Sequence, residues 1–476
     1  MEQQLSSLDA WIASEFDEIS FGDQRLDDRF VGITRGLAGK SEKNISSAFD
    51  DWKDIKACYR FFCNEKVSSK KILQPHQENT LQRIRQCKRV LFIQDTVVFS
   101  LGDRPGSSNL CFCSKNNTSK KPIKGLLLHS LLAVTDNGLP LGIVQQHFVD
   151  RKSFKDKGRL SKTQYQKLPI EQKESFRWLE FIKFSNSCDT ADSEVIHVAD
   201  REGDIYELYR ECAYLDEKFL IRASHNRDIN KAVRRGSSDE KLFDTLESSR
   251  AAGRVTIKIN SSQAGKKYRK AKLTVIYKKI SMPPPHNRTL NNSSNDLPMV
   301  EMTAIMAIEK NPPKNEPPLK WVLLTNLQVD TLAAAFDKVK LYSMRWNIEL
   351  LHKIMKSGFA MEKAQLRDGE RLKKYITLKS ILSWRIFWIT RYFYEAKNQN
   401  CELAFSAHEW KILYRKNNPR SALPKKPPKI GEVYHWLGKL GGFIGRKGDG
   451  DPGFISIWRG WTRFTNLLED YYLFCG

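Results

Sequence analysis

The sequence has no apolar run close to the ~18–20 residues that a membrane-spanning helix needs. Its opening stretch, MEQQLSSLDAWIASEFDEIS, is acidic and amphipathic, unlike a secretory leader. Cysteine is sparse and odd in number, nine residues at 58, 63, 87, 111, 113, 188, 212, 401 and 475. Only Cys111-Phe112-Cys113 is tightly spaced, and no second Cys or His pair stands beside it at zinc-site spacing. These absences exclude a membrane span and a zinc ribbon, and leave reduced thiols in a cytosolic protein. Acid is also in deficit. Against 79 Lys and Arg there are 55 Asp and Glu, a net +24 over 476 residues. A surplus that large says little about fold but points to a polyanionic partner, nucleic acid before membrane here. A basic protein with an ordinary solvated surface is the plain alternative. No internal repeat is visible.

What is present divides the chain into regions. Hydrophobic residues at 40% and aromatics at 11% supply cores for several domains. Residues 1–75 read as short helices. Asp23 is placed to cap one of them, which sets Arg25 and Arg29 four apart on one face. In DWKDIKACYRFFCNE, Ala57, Tyr59 and Phe62 are placed to pack while Lys56 and Arg60 stay wet. These helices lie outside the α/β pattern that follows, so their removal is expected to leave a folded core. From Lys88 the period changes. Arg89–Gln94 reads as a buried strand ending at Asp95, and Glu194–Ala199 as another ending at Asp200. Between them GLLLHSLLAVT and LPLGIVQQHFV flank Asp136-Asn137-Gly138, a hairpin signal, and a helix is expected around 165–186. Residues 219–325 hold five strand-like segments, interrupted by a polar, Pro-rich loop at Pro283–Pro298. A long helix is expected from an Asp330 cap to about Ser357. The region from about 376 onward reads as helical and aromatic.

The chemistry concentrates on that long helix. At about 100° per residue, Tyr342, Arg345, Glu349, Lys353 and Lys356 share one stripe. A carboxylate among cations and a phenol suits phosphodiester chemistry, as a metal ligand flanked by phosphate clamps. A solvated stripe with a Glu349–Lys353 ion pair explains the same spacing. Asp95 and Asp200 tilt the balance: three hard oxygen donors at strand ends suit Mg²⁺ or Mn²⁺, and two such ions serve phosphoryl transfer.

Tyr342-x2-Arg345-x3-Glu349-x6-Lys356 resembles the YREK signature of the insertion-sequence-four family of DDE transposases, its Tn5-like members in particular. Further matching segments are FGDQRLDDR, ACYRFF, QDT around Asp95, DREGDIYELY around Asp200, FLIRASH, NPPKNEPPLKWVLLT and a C-terminal LGGF before an IW-x-GW helix. The resemblance implies an α/β fold with an RNase H-like catalytic core over 76–375 and a β-rich insertion at about 213–320. It places a helical DNA-binding domain over 1–75 and a helical dimerisation region over 376–476. Asp95, Asp200 and Glu349 become catalytic ligands of two Mg²⁺ ions per site, with Mn²⁺ as substitute.

Tyr342, Arg345 and Lys356 would grip phosphates near the transposon end, with Lys353 on the same stripe. Arg222 matches a DNA-contacting arginine, although Ser224 stands where a second basic residue is expected. Trp321 matches an aromatic that receives a flipped base; a core tryptophan at a strand start is its other reading. Arg25 and Arg29 are the N-terminal candidates for DNA contact, against the ordinary solvated face. The family nicks one strand with metal-activated water, forms and reopens a hairpin, and transfers the 3′-OH to target DNA. Its partners are double-stranded DNA, as end repeats and as target, and a second copy of itself in the DNA-bound dimer. It places the chain in a bacterial cytoplasm, with the nucleoid. The rival readings are another RNase H-like nuclease and a domesticated DNA-binding protein that no longer cuts, for which three carboxylates beside DNA would serve no purpose.

Overall fold

The computed structural model describes residues 8–40, 43–102, 108–115, 122–150, 161, 164–165, 168–230, 240–260, 268–285, 297–314, 316–446 and 449–475. Ten strands form one mixed sheet: β1 Arg89–Ser100, β2 Cys111–Lys115, β3 Pro122–Thr135, β4 Pro140–Val149, β5 Glu194–Ala199, β6 Lys218–Arg222, β7 Gly253–Asn260, β8 Tyr268–Met282, β9 Val300–Ile308 and β10 Lys320–Thr325. β3 pairs antiparallel with β1 and β4 and, over its first residues, with β2. β5 and β6 run parallel to β1, and β10, β9, β8 and β7 then extend the sheet in antiparallel order. Val90, Leu91, Phe92 and Ile93 are fully buried, as a strand in the middle of a covered sheet requires. The expected hairpin closes as β3–β4, with Gly138 at φ 102° in its turn.

Several expectations need correction. β1 does not stop at Asp95. Its parallel ladder with β5 ends at Ile93, but its antiparallel ladder with β3 continues to Ser100. The strands between 213 and 320 join the same sheet as β1. Around 165–186 the continuous α-helix is Phe176–Asn186, preceded by a short 3₁₀ turn at Ile170–Gln172, and Gln164 and Tyr165 are helical as well. Of the Pro283–Pro298 loop, residues 286–296 lie outside the described residues.

The helices in chain order are α1 Leu8–Glu15, α2 Gln24–Gly39, α3 Ile45–Ala48, α4 Trp52–Cys63, α5 Ser69–Ile84, α6 Phe176–Asn186, α7 Tyr206–Tyr214, α8 Leu242–Ser248, α9 Leu332–Ser343, α10 Trp346–Lys353, α11 Gly369–Glu395, α12 Ala407–Asn417, α13 Ile430–Leu440 and α14 Phe454–Cys475. Asp23 caps α2 as expected, its side chain accepting from the Arg25 N–H. The expected long helix is broken into α9 and α10, and Thr331, not Asp330, caps its start. The break lies at Met344–Arg345, where hydrogen bonds tighten to Met344 N–H on Leu341 O and Arg345 N–H on Tyr342 O, both 3.0 Å. Asn347 fixes it. Its amide donates to Met344 O at 2.7 Å and its carbonyl accepts from Arg391 at 2.7 Å. Past α10, Ile354–Gly358 forms a π-helical turn, which rotates Lys356 away from an ideal 100° stripe.

α11 is the spine of the molecule. From Leu372 to Phe393 nearly every residue is buried, the mark of a helix packed on all sides. α5 and β4 pack against its middle, where the Trp384 indole donates to Pro140 O at 3.0 Å. The N-terminal helices pack on it as well. Phe62 meets Tyr375 edge to face at 5.7 Å. Lys374 donates to Phe62 O and Asn64 O, and buried Lys379 to Lys43 O and Phe359 O. Burial pushes the Lys379 ammonium down to about 7. Buried His76 joins α1 to β4: its Nε2 accepts from the Ile143 N–H at 2.9 Å, so its Nδ1 carries the proton donated to Glu15. α5 runs unbroken across residue 75 and α11 across 375–376, so helices carry the chain between its regions. Among the described residues no helix is long and apolar enough to cross a membrane.

Candidate active site

The β1–β5 register builds the first half of the site. Ile93 pairs with Val198, and the same offset carried two residues further sets Asp95 opposite Asp200, just where the parallel ladder ends. Beyond a ladder's end the backbone no longer pairs sideways and side chains can face a ligand, which is where open α/β sheets bind. The chain turns sharply after Asp200 into a 3₁₀ turn, Arg201–Gly203, capped by the Asp200 carboxylate on the Glu202 N–H at 2.8 Å. Gly203 is required there, since a Cβ would lie 2.6 Å from the Ala199 Cβ.

α10 supplies the second half. The Arg345 guanidinium lies between two acids, bonded to Glu349 and 3.7 Å from Asp95. No Glu349–Lys353 pair forms among the described residues; Lys353 stays exposed, and Lys356 lies 3.9 Å from Glu362. Asp95 is pushed up to about 7, first by burial and next by the Asp200 charge, with Glu349 adding and Arg345 opposing. Among the described residues no three His, Cys, Asp or Glu side chains stand at metal-holding spacing. Arg345 stands between two of the acids, Asp95 and Glu349.

Around this centre Tyr342, Arg222 and Trp321 form one cluster. The Tyr342 ring is buried, not part of an open stripe, and Trp321 packs on it edge to face at 5.1 Å. Burial lifts the Tyr342 phenol to about 12, against the pull of Arg345 and Arg222. Arg222 also donates to Lys320 O at 3.0 Å. Trp321 is half-buried at the start of β10, so one part of its ring is in the core and another is open. Ser224 faces elsewhere, donating to Asp204, a buried acid that also holds Arg227 and the Tyr209 hydroxyl. Arg25 and Arg29 are exposed on α2, away from this cluster, and Arg25 folds back onto Asp23 at 3.3 Å.

The sequence reading missed the layer behind the acids. Arg177, from α6, donates to the Thr96 hydroxyl at 3.2 Å and to Glu202 at 2.8 Å. It therefore ties the residue after Asp95 to the turn that Asp200 caps. Thr96 in turn bonds His129 Nδ1 at 2.9 Å, and His129 Nε2 donates to Gln94 Oε1 at 3.2 Å. Burial, with the Arg177 charge second, holds His129 neutral, well below its ordinary value. On α10, His352 lies 4.0 Å from Asp95 and burial pushes it down to about 3, so it too is neutral beside the acids. Its place three residues after Glu349 was the one available signal.

Two family models match the chain. Residues 8–67 match the description Transposase DNA-binding, covering α1 to α4. Residues 381–472 match Transposase Tn5 dimerisation domain, covering most of α11 through α14. The acidic centre lies between the two matched segments, and the two together support a Tn5-like transposase with a DNA-binding and a dimerisation domain.

Proposed function

We propose that the chain is a cut-and-paste enzyme in which Asp95, Asp200 and Glu349 are the catalytic acids. One observation carries the reading: register sets Asp95 opposite Asp200, Arg345 joins it to Glu349, and burial, with the Asp200 charge next, holds Asp95 up at about 7. Perturbation of that kind, in a group just past the end of a parallel ladder, marks functional-site candidates. The strand order β4, β3, β1, β5, β6, an antiparallel trio followed by two strands parallel to β1, supports an RNase H-like core. β10 to β7 then form the inserted extension.

The donor set fits Mg²⁺, or Mn²⁺ in its place: hard carboxylate oxygens short of counter-charge. Arg345 supplies that counter-charge in the free chain. A DNA phosphate offers its guanidinium a better, bidentate acceptor, and its departure leaves the three acids facing a common space. Two ions held there would activate the attacking oxygen and neutralise charge building on the phosphate. The remaining work is placement. Arg345, Tyr342, Lys356 and Lys353 hold the phosphates of the cleaved strand, and Arg222 steadies Tyr342 from behind. The open part of Trp321 stacks a flipped base while the strand bends into a hairpin. Arg25 and Arg29 contact the end repeats, and the dimer pairs two ends before transfer to target DNA.

Incubation with Mg²⁺ and DNA bearing the element's own ends tests this. Asp95→Ala, Asp200→Ala and Glu349→Ala should each abolish nicking while retaining end binding in a gel shift. Nicking that survives in any of them removes that acid from the set. Trp321→Ala should still nick but form hairpins roughly 5- to 150-fold more slowly, the worth of one stacked base. Parallel loss of both steps with a lowered melting temperature would return Trp321 to the core.

A further inference from the structure

The C-terminal helical region carries a charge surplus that dimerisation does not explain. Residues 397–451 contain eleven Lys and Arg against five Asp and Glu. All five acids are engaged within the region. Glu402 accepts from the Trp410 indole at 3.2 Å, and Glu409 and Glu432 close capping boxes at the starts of α12 and α13. Asp449 accepts from the Arg446 N–H at 2.7 Å, and Asp451 meets His435 at 3.2 Å. Among the described residues none of the region's Lys or Arg side chains forms an ion pair with a carboxylate, and all of them are exposed. A chain selected only for a folded, soluble surface ordinarily intersperses the two signs, as the N-terminal helices do.

The cations also converge. A cavity of about 710 Å³ opens between the end of α11, α13 and the segment after it. Lys397, Lys429, Lys439 and Arg446 stand around it against two acids, Glu432 and Asp451, which are held by the α13 cap and by His435, with Tyr394 and Trp436 on its walls. Lys397 lies 5.6 Å over the Tyr394 ring, which directs its ammonium without neutralising it. Cations ringing a concave surface focus its field and raise the local concentration of anions. A second copy of the chain is a poor occupant, because two faces of like charge repel on approach.

We propose that this basic face binds the sugar-phosphate backbone of double-stranded DNA without regard to sequence, so that the region matched as a dimerisation domain also grips DNA. The proposal needs only the chain's DNA binding and not the cleavage chemistry above, so duplex DNA of random sequence is the probe. The variant K397Q/K429Q/K439Q/R446Q of the full chain is compared with the parent by fluorescence anisotropy over a salt series. Each phosphate contact contributes about 0.9 to the slope of log K against log salt. The variant's slope should therefore be shallower by about 3–4 units if all four cations touch phosphates, and each single variant's by about 0.9. The mass of the DNA-bound dimer and the melting temperature should not change, because the four side chains are exposed and outside the helix cores. Equal slopes in variant and parent, with the dimer intact, would overturn the proposal and leave a solvated surface. Equal slopes with the dimer lost would overturn it differently, making this face an interface between copies. If the fourfold variant melts early, the single variants decide by the same slope.

Discussion

The two matched ends of the chain handle charge in opposite ways. Residues 8–67, matched to a DNA-binding module, hold nine Lys and Arg against twelve Asp and Glu, a net −3. Residues 381–472, matched to a dimerisation module, hold fifteen against eight, a net +7. In the first, cations are spent on neighbouring acids: Arg35 on Asp9 at 2.5 Å, Lys40 on Asp50 at 2.7 Å, Lys53 on Asp51 at 3.3 Å. In the second, acids are spent on helix caps and an indole. Sequence is read by contacts to base edges, which need few charges, whereas affinity for the backbone needs many. A module that recognises ends can therefore be nearly neutral when another part of the molecule supplies the grip. The centre shows a third disposal of charge, carboxylates crowded around an internal guanidinium.

The largest test asks whether the acidic end is a structural part or an appendage. Trp11 is fully buried, with the Arg385 guanidinium 4.4 Å over its ring. Trp11→Ala should cost about 3–5 kcal/mol in a thermal melt. Half-exposed Trp436 at the other end should cost under about 1 kcal/mol when cut to Ala. An unchanged melting curve for Trp11→Ala would make the N-terminal helices an appendage after all.

Next comes the crowded centre. Asp95 is held near 7 in the fold against an ordinary 3.8, so the folded chain binds the extra proton between those values. Stability from protonated Asp95 is complete below the lower value and lost as pH rises through the upper one. Asp95→Asn, which stays neutral, should stabilise the metal-free chain by roughly 2–4 kcal/mol at about pH 8, and hardly at all at about pH 4. Asp50→Asn, on an exposed pair, should change little at either pH. A gain of equal size at both pH values would mean that charge crowding is not its source.

Arg177 sharpens the same contrast from behind. Arg177→Ala unties Thr96 from Glu202 and should weaken Mn²⁺ binding about 10- to 100-fold by electron paramagnetic resonance, a usual cost of losing a second-layer partner. Arg177→Lys should recover part of it. Unchanged Mn²⁺ affinity in both would confine Arg177 to packing. The smallest effect concerns the N-terminal cations. Arg29→Gln should flatten the salt slope for end DNA by up to about one unit. Arg25→Gln should do less, since Arg25 already leans on Asp23. The reverse ranking would show that the Asp23 contact opens when DNA arrives.

Much of the sheet was legible because its signals are local. The runs before Asp95 and Asp200 and the Asp136-Asn137-Gly138 turn each declare themselves within about ten residues. Asp95's true position within β1 was not, because a strand's end depends on its partners: β5 stops while β3 continues. Nor was the break between α9 and α10, which rests on Arg391 reaching Asn347 from 44 residues away. Arg177 meets Thr96 across 81 residues and Glu202 across 25, so no periodicity exposes it. Nothing in the sequence singles out Lys374 and Lys379. Only the fold reveals carbonyls waiting for them.

α11 sets a distance. Its 27 residues make a rod about 40 Å long, gripped near its start by carbonyls of the helices matched to a DNA-binding domain and at its far end by those matched to a dimerisation domain. A rod buried on all sides bends little. Where one copy's DNA-binding module stands relative to its dimerisation module is thus fixed by a count of turns, about 1.5 Å for each residue. Lengthening α11 by one full turn would shift the dimerisation module outward by about 5.4 Å while preserving its facing. The spacing between the two DNA-binding modules of a dimer is in that sense written into the chain as a length of helix.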